Sequence, residues 1–169
     1  VDFVIDPPFQ DLVRLKADKA LKVSEVDDIG TQYFALDQHS AELPGSDIKG
    51  RNPFKDLRVR KALYQAVDIE TLKTKLMRGQ AHPTGGITSS PLGAFNDPEL
   101  EKRLPYDPEA AKKLMAEAGY PQGFEVDFAC PNNRYISDEE ICQAVASMWA
   151  KIGIKAKLMA GVAREHGAA

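Results

Sequence analysis

The sequence predicts an α/β fold, mixed sheets with flanking helices, and three patterns predict it. Apolar residues recur at helical spacing from 56 to 76, from 107 to 119 and from 137 to 153, which marks helices with one buried stripe. They alternate with polar residues in 124–130 and 154–158, which marks half-buried strands. The last strand, helix and strand have the lengths of a βαβ unit. Composition agrees with a folded chain. Of 169 residues 43% are apolar and 28% charged, with only 12 Gly and 11 Pro, which excludes collagen-like and low-complexity classes.

The elements follow in order. Val1, Phe3 and Ile5 share the face of a short strand that ends at Pro7-Pro8, and a short helix carries Leu12 and Leu15. LKVSEV and TQYFALDQ, rich in β-formers and separated by Asp27, Asp28 and Gly30, read as two further strands. From His39 to Pro53 no apolar period survives, and Pro44, Gly45, Gly50 and Asn52 mark a loop. A helix then starts at Asp56, with Val59, Ala62, Leu63, Ala66 and Val67 as its buried stripe. Asp68 is the N-cap of a second helix bearing Ile69, Leu72 and Leu76, which stops near Gly79. Seven Pro and Gly residues between Pro83 and Pro105 prevent residues 80–106 from forming one regular element. Loops of that length in compact domains are usually functional or disordered.

The final third is the most legible. Asp107 caps a helix with Pro108 at its first position and an apolar face of Ala111, Leu114, Met115 and Ala118. Gly119 ends it, Tyr120 stands where a Schellman motif returns a hydrophobic contact onto Met115, and Pro121 blocks continuation. Phe124, Val126, Phe128 and Cys130 form one face of a strand. Ser137-Asp138-Glu139-Glu140 reads as a capping box for a helix through Ile141, Val145, Met148, Trp149 and Ile152 to Gly153. Ile154, Ala156 and Leu158 then alternate with Lys155 and Lys157 in a last strand.

Several function classes drop out. No window approaches the roughly 20 apolar residues of a membrane-spanning helix. A net charge of −3, from 22 basic and 25 acidic residues, leaves no basic footprint for nucleic acid. Two cysteines and three histidines, His39, His82 and His166, show no metal-ligand spacing, so neither a metal nor another cofactor is expected.

The segments NPFKDLRVRKALYQAVDIETL, YDPEAAKKLMAEAGYPQGFEVDF and MWAKIGIKAKL, in this order, resemble the central part of the periplasmic peptide- and nickel-type solute-binding proteins, the family-5 components of ABC importers. The matching positions are Arg58 to Leu63, Ala66 to Leu72, Tyr106 to Tyr120 and Lys151 to Ile154. The resemblance implies a slice of a two-lobed periplasmic-binding-protein fold, with both ends read as truncation points. Residues 1–38 would be the end of lobe I and the hinge strand, 39–53 a linker loop, 54–160 part of lobe II, and 161–169 a truncated or disordered tail. It also implies a periplasmic, monomeric protein that captures a short peptide or similar small solute in a cleft between lobes and delivers it to a permease in the inner membrane. No nucleic acid partner and no catalysis are expected. The ligand stays open among dipeptide, oligopeptide, glutathione, opine and metal chelate.

Capture of a solute requires a cleft with a few fixed polar groups. Asn132, Asn133, Arg134 and Tyr135 lie between a strand end and a helix start, where ligands of α/β proteins gather. Some dipeptide-binding members of the family carry an arginine in the equivalent loop that pairs with the peptide carboxylate; Arg134 is similar but slightly displaced in sequence. A guanidinium matches a carboxylate with two prongs, while the plain alternative is a solvated loop charge. Thr84, Gly85 and Gly86 fall in the long loop that lines the cleft in the family, although paired glycines can also simply shape a turn. Cys130 and Cys142 are expected to form a disulfide in an extracytoplasmic protein, against the alternative of two buried thiols. Two other functions are weighed. A ligand-sensing domain of a transcription regulator would carry a DNA-binding segment upstream. A thiol hydrolase built on Cys130 and His82 lacks a nucleophile motif, and Pro131 after a strand end suits a reactive thiolate poorly.

Overall fold

The computed structural model describes residues 2–88, 90–132 and 134–160. They form two compact units. One comprises the chain up to Tyr33 together with Lys73–Arg103; the other comprises Phe34–Leu72 and the chain from Leu104 onward.

The second unit holds nearly all the buried apolar side chains. Its helices are α2 (Leu57–Gln65), the single turn α3 (Ile69–Thr71), α4 (Pro108–Glu117) and α5 (Asp138–Ala150), and its strands are β1 (Phe124–Cys130) and β2 (Ile154–Ala160). Asp56 opens α2 by accepting the Arg58 N–H, and Asp68 opens α3 by accepting the Thr71 N–H. Past α3 the chain widens into a π turn, Leu72–Leu76. The stripe of α2 is buried as its spacing requires, with Val59 and Ala62 at 0% exposure, and it packs on α4 through Ala111 and Met115. Asp107 caps α4 through the Ala110 N–H. The far end of α4 is a Schellman motif: the Tyr120 N–H donates to Met115 O at 2.9 Å and the Gly119 N–H to Ala116 O at 3.0 Å.

Strands β1 and β2 pair in parallel, Phe124 opposite Ile154 and Cys130 opposite Ala160. On the other edge of β1 a short antiparallel bridge joins Ser46 to Val126, so the sheet is mixed. α5 covers one face, where Trp149 packs on Phe128 with ring centroids 5.0 Å apart and its indole N–H donates to Leu63 O at 3.0 Å. That bond ties the βαβ unit to α2. The turns before the two strands, at Gly123 and Gly153, both have positive φ, and a Cβ on Gly123 would overlap the Gly153 carbonyl.

The first unit is built differently. A 3₁₀ turn, Phe9–Asp11, leads into α1 (Leu12–Ala17), and Ser90–Phe95 holds two short 3₁₀ pieces separated by a kink at Gly93, with φ 59° and ψ −114°. Leu12 is its one buried apolar residue among the described ones; Val26 is 91% exposed and Phe95 82%.

Three expected strands are absent among the described residues. Residues 2–5, 21–26 and 31–38 are extended or irregular without ladder partners. A strand exists only where a neighbour takes up its N–H and C=O groups, and none is at hand here. Phe34, expected on such a strand, instead sets its ring edge-on to Phe128 and Trp149. The apolar alternation of β2 is also only partly buried, with Ile154 at 0% but Leu158 at 40% exposure. Val1 and residues 161–169 lie outside the described residues.

Candidate ligand-binding site

The loop from Cys130 to Asp138 starts where β1 ends and stops where α5 begins. Cys130 and Cys142 form a disulfide with Cα atoms 6.4 Å apart, so the loop is closed covalently just past the first turn of the helix. Cys130 continues the buried face of Phe124, Val126 and Phe128, and Cys142 sits one helical turn beyond Asp138 on the inner side of α5.

Within the loop the expected capping box is replaced by another device. Ser137 makes no side-chain cap bond and adopts the left-handed conformation, φ 54° and ψ 29°. The neighbouring Asp138, only 8% exposed, does the work instead. Its Oδ2 accepts the N–H groups of Arg134 at 2.9 Å and Tyr135 at 3.0 Å, and its Oδ1 accepts the Glu139 N–H at 2.8 Å. With Ser137 in the left-handed region its side chain caps nothing, and the Asp138 carboxylate, one atom longer, reaches back to the loop N–H groups of Arg134 and Tyr135. Burial pushes the Asp138 carboxyl up, but the N–H groups of Tyr135, Arg134 and Glu139 outweigh it and hold the group below the ordinary value of 3.8. The carboxylate is therefore ionised and fully engaged at neutral pH.

Above this anchor Arg134 and Tyr135 are exposed. The guanidinium carbon lies 5.2 Å from the centre of the Tyr135 ring, a cation–π distance. Among the described residues no carboxylate pairs with Arg134. Asn132 is exposed beside them, and Asn133 lies outside the described residues. The structure thus gathers Asn132, Arg134 and Tyr135 in one loop.

Thr84, Gly85 and Gly86 belong to the other unit. The Thr84 Oγ1 accepts the Gly86 N–H at 3.0 Å, the Gly85 N–H donates to Glu101 O at 3.1 Å, and an Arg103 Nη donates to Thr84 O at 2.7 Å. A Cβ on Gly85 would stand 2.6 Å from Lys102 O and 2.7 Å from Leu100 O. Glycine at 85 therefore admits the chain's own 100–102 segment.

Two hollows on the second unit leave the Arg134 loop aside. One, of about 380 Å³, lies between α2 and α4 and includes Leu104 and Leu114; the other is bounded by Lys112, Gln122 and Lys151. Among the described residues no three His, Cys, Asp or Glu side chains converge on a metal-sized point, and no helix is long and apolar enough to cross a membrane.

Helices packed on a mixed sheet, with parallel strands joined through α5, define an α/β protein. Residues 1–166 match the family model of bacterial extracellular solute-binding proteins, family 5 middle, and the chain belongs to that family. It is 31% identical over 162 residues to heme-binding protein A of Haemophilus influenzae, which covers 91% of this chain and 26% of that protein. It is 26% identical over 152 residues to the dipeptide-binding protein of Escherichia coli, covering 88% of this chain and 26% of the relative. Among solved structures, the dipeptide-binding protein of Pseudoalteromonas sp. SM9913 in complex with Met-Leu superposes with a TM-score of 0.68 at 26% identity, over 92% of this chain and 29% of that one. HbpA2 from Haemophilus parasuis gives 0.67 at 25% identity over the same shares. The chain thus spans between a quarter and a third of the length of these proteins.

Proposed function

We propose that this chain is part of the substrate-binding component of an ABC importer, which captures a short peptide or a similar small solute and delivers it to a permease in the inner membrane. The observation that carries this is the Arg134 loop. An exposed guanidinium stands over an aromatic ring at the carboxyl end of a buried parallel strand, on a backbone fixed by a disulfide and a buried carboxylate. Its two-pronged chemistry suits the terminal carboxylate of a peptide. Asn132 offers an amide to the same ligand end, and Tyr135 offers a flat wall.

Family membership and the superposition on a Met-Leu complex support the peptide class. A disulfide fits an oxidising compartment, and we place the protein in the periplasm as a monomer. In the whole protein, ligand contacts made from both lobes would favour the closed state. Its work is binding, without catalysis and without a nucleic acid partner.

Thermal unfolding of the intact protein tests the proposal. A ligand at one hundred times its Kd stabilises the native state by about 2.7 kcal/mol. Met-Leu is expected to raise Tm, and Met-Leu amide, which has no terminal carboxylate, to raise it far less. Equal shifts with both, or no shift with Met-Leu, glutathione or heme, contradict it.

A further inference from the structure

We propose that Asp138 is a positioning residue for ligand capture: its buried carboxylate, by holding the backbone N–H groups of Arg134 and Tyr135, fixes the direction in which the Arg134 guanidinium meets the ligand. This rests on the assignment of Arg134 to the ligand carboxylate and adds the residue that makes it effective. Three observations carry it. Asp138 is 8% exposed, one of few buried charged or polar residues among those described. It does not spend its charge on a cation: the three bonds it accepts come from backbone N–H groups, two of them from the residues that carry the ligand-facing side chains. It also stands inside a loop whose ends are joined by the Cys130–Cys142 disulfide, so its bonds set the shape of the loop and not merely its closure.

The energetic logic is preorganisation. An arginine on a loose loop loses rotamer and backbone freedom when it grips a carboxylate, and that loss reduces affinity. With the N–H groups of 134 and 135 already engaged and the guanidinium stacked on Tyr135, less freedom is left to lose. Asparagine at 138 would keep one acceptor oxygen but turn an amide donor toward an N–H donor, which breaks at least one of the three bonds.

The test is a double-mutant cycle by isothermal titration of the intact protein with Met-Leu and Met-Leu amide, using wild type, R134A, D138N and R134A/D138N. R134A and D138N are each expected to weaken Met-Leu binding about tenfold, leave Met-Leu amide unchanged, and combine to a loss no larger than that of R134A alone. If D138N weakens both ligands equally, or its loss adds in full to that of R134A, Asp138 is only structural and the inference is overturned. If D138N has no effect while R134A does, the inference falls and the assignment of Arg134 stands. If R134A has no effect, that assignment fails and the inference with it. Should D138N not give folded protein, D138S is judged by the same outcomes.

Discussion

The two units of the chain are written in similar amino acids and folded by different means. In the second unit Val59, Ala62, Ala111, Val145 and Ile154 are wholly removed from water, and aromatic rings of Phe34, Phe128 and Trp149 interlock. The first unit has apolar side chains too, but Phe3, Ile5, Val13, Val26 and Phe95 are all more than 60% exposed. Polar ties hold it: Lys16 to Glu25 at 2.7 Å, His82 to Asp27 at 3.0 Å, and the Thr31 hydroxyl to Ile87 O at 2.8 Å. Exposed ion pairs contribute only ~0–1 kcal/mol each. The lesson is that apolar content does not make a core unless periodic elements bring it together; surface to cover these side chains is not provided by the described residues.

This contrast is open to direct attack. The largest effect is expected from truncating the second unit's core. Trp149→Ala removes the indole that joins α5 to α2, and should cost about 3–5 kcal/mol in denaturant unfolding. The matching truncation in the first unit, Phe95→Ala, should lie within about 0.5 kcal/mol of wild type. Equal losses would erase the contrast. Next in size is the disulfide. Its loop is short, and reduction should cost roughly 3 kcal/mol in the chain-entropy model. Amide exchange should show the added opening at residues 130–142 and not in residues 2–33; unchanged exchange around Cys142 after verified reduction would refute it.

The smallest expected effect is that of acid. Among the described residues, the carboxyls held below their ordinary values are Asp37, Asp56, Asp68, Glu125 and Asp138, all in the second unit. The causes are bonds to the Ser40 side chain, the Arg58 guanidinium, the Thr71 N–H and hydroxyl, Lys157 and Lys155, and, against burial, the loop N–H groups around Asp138. A folded-state value below the unfolded one gives stability that is complete above the ordinary carboxylate range and is lost as pH falls below it. Lowering the pH from 5 to 3 should therefore loosen the second unit, and D138N should flatten part of that slope. A slope of the opposite sign would contradict the assignments.

How much of this was legible in the sequence follows from where the partners lie. α2, α4, β1, α5 and β2 read correctly because their signals are local: Asp56 and Asp107 cap within three residues, and the Gly119-Tyr120 pair closes α4 on itself; the helix expected from Asp68 to near Gly79 is instead the single turn α3 and a π turn. The strands expected in 1–5, 21–26 and 31–38 had the right residue types, but strands are decided by distant neighbours that composition does not supply. The family was legible because it rests on ordered motifs spread along the chain. Of the loop, Arg134 and Tyr135 were visible as exposed chemistry at a strand end. Asp138 was hidden behind Ser137, whose position fits a capping box until the backbone turns left-handed. The one sequence signal that could have found it is an aspartate four residues after the arginine, at a helix start, where its oxygens can reach back to preceding N–H groups.

The central claim is that the loop between β1 and α5 grips a terminal carboxylate through Arg134. A crystal structure of the intact protein with Met-Leu tests it most directly. The account predicts both carboxylate oxygens of the dipeptide about 2.7–2.9 Å from the Arg134 guanidinium nitrogens, with Asp138 still holding the N–H groups of 134 and 135. A dipeptide bound with its carboxylate on another cation, and Arg134 facing solvent, would contradict it.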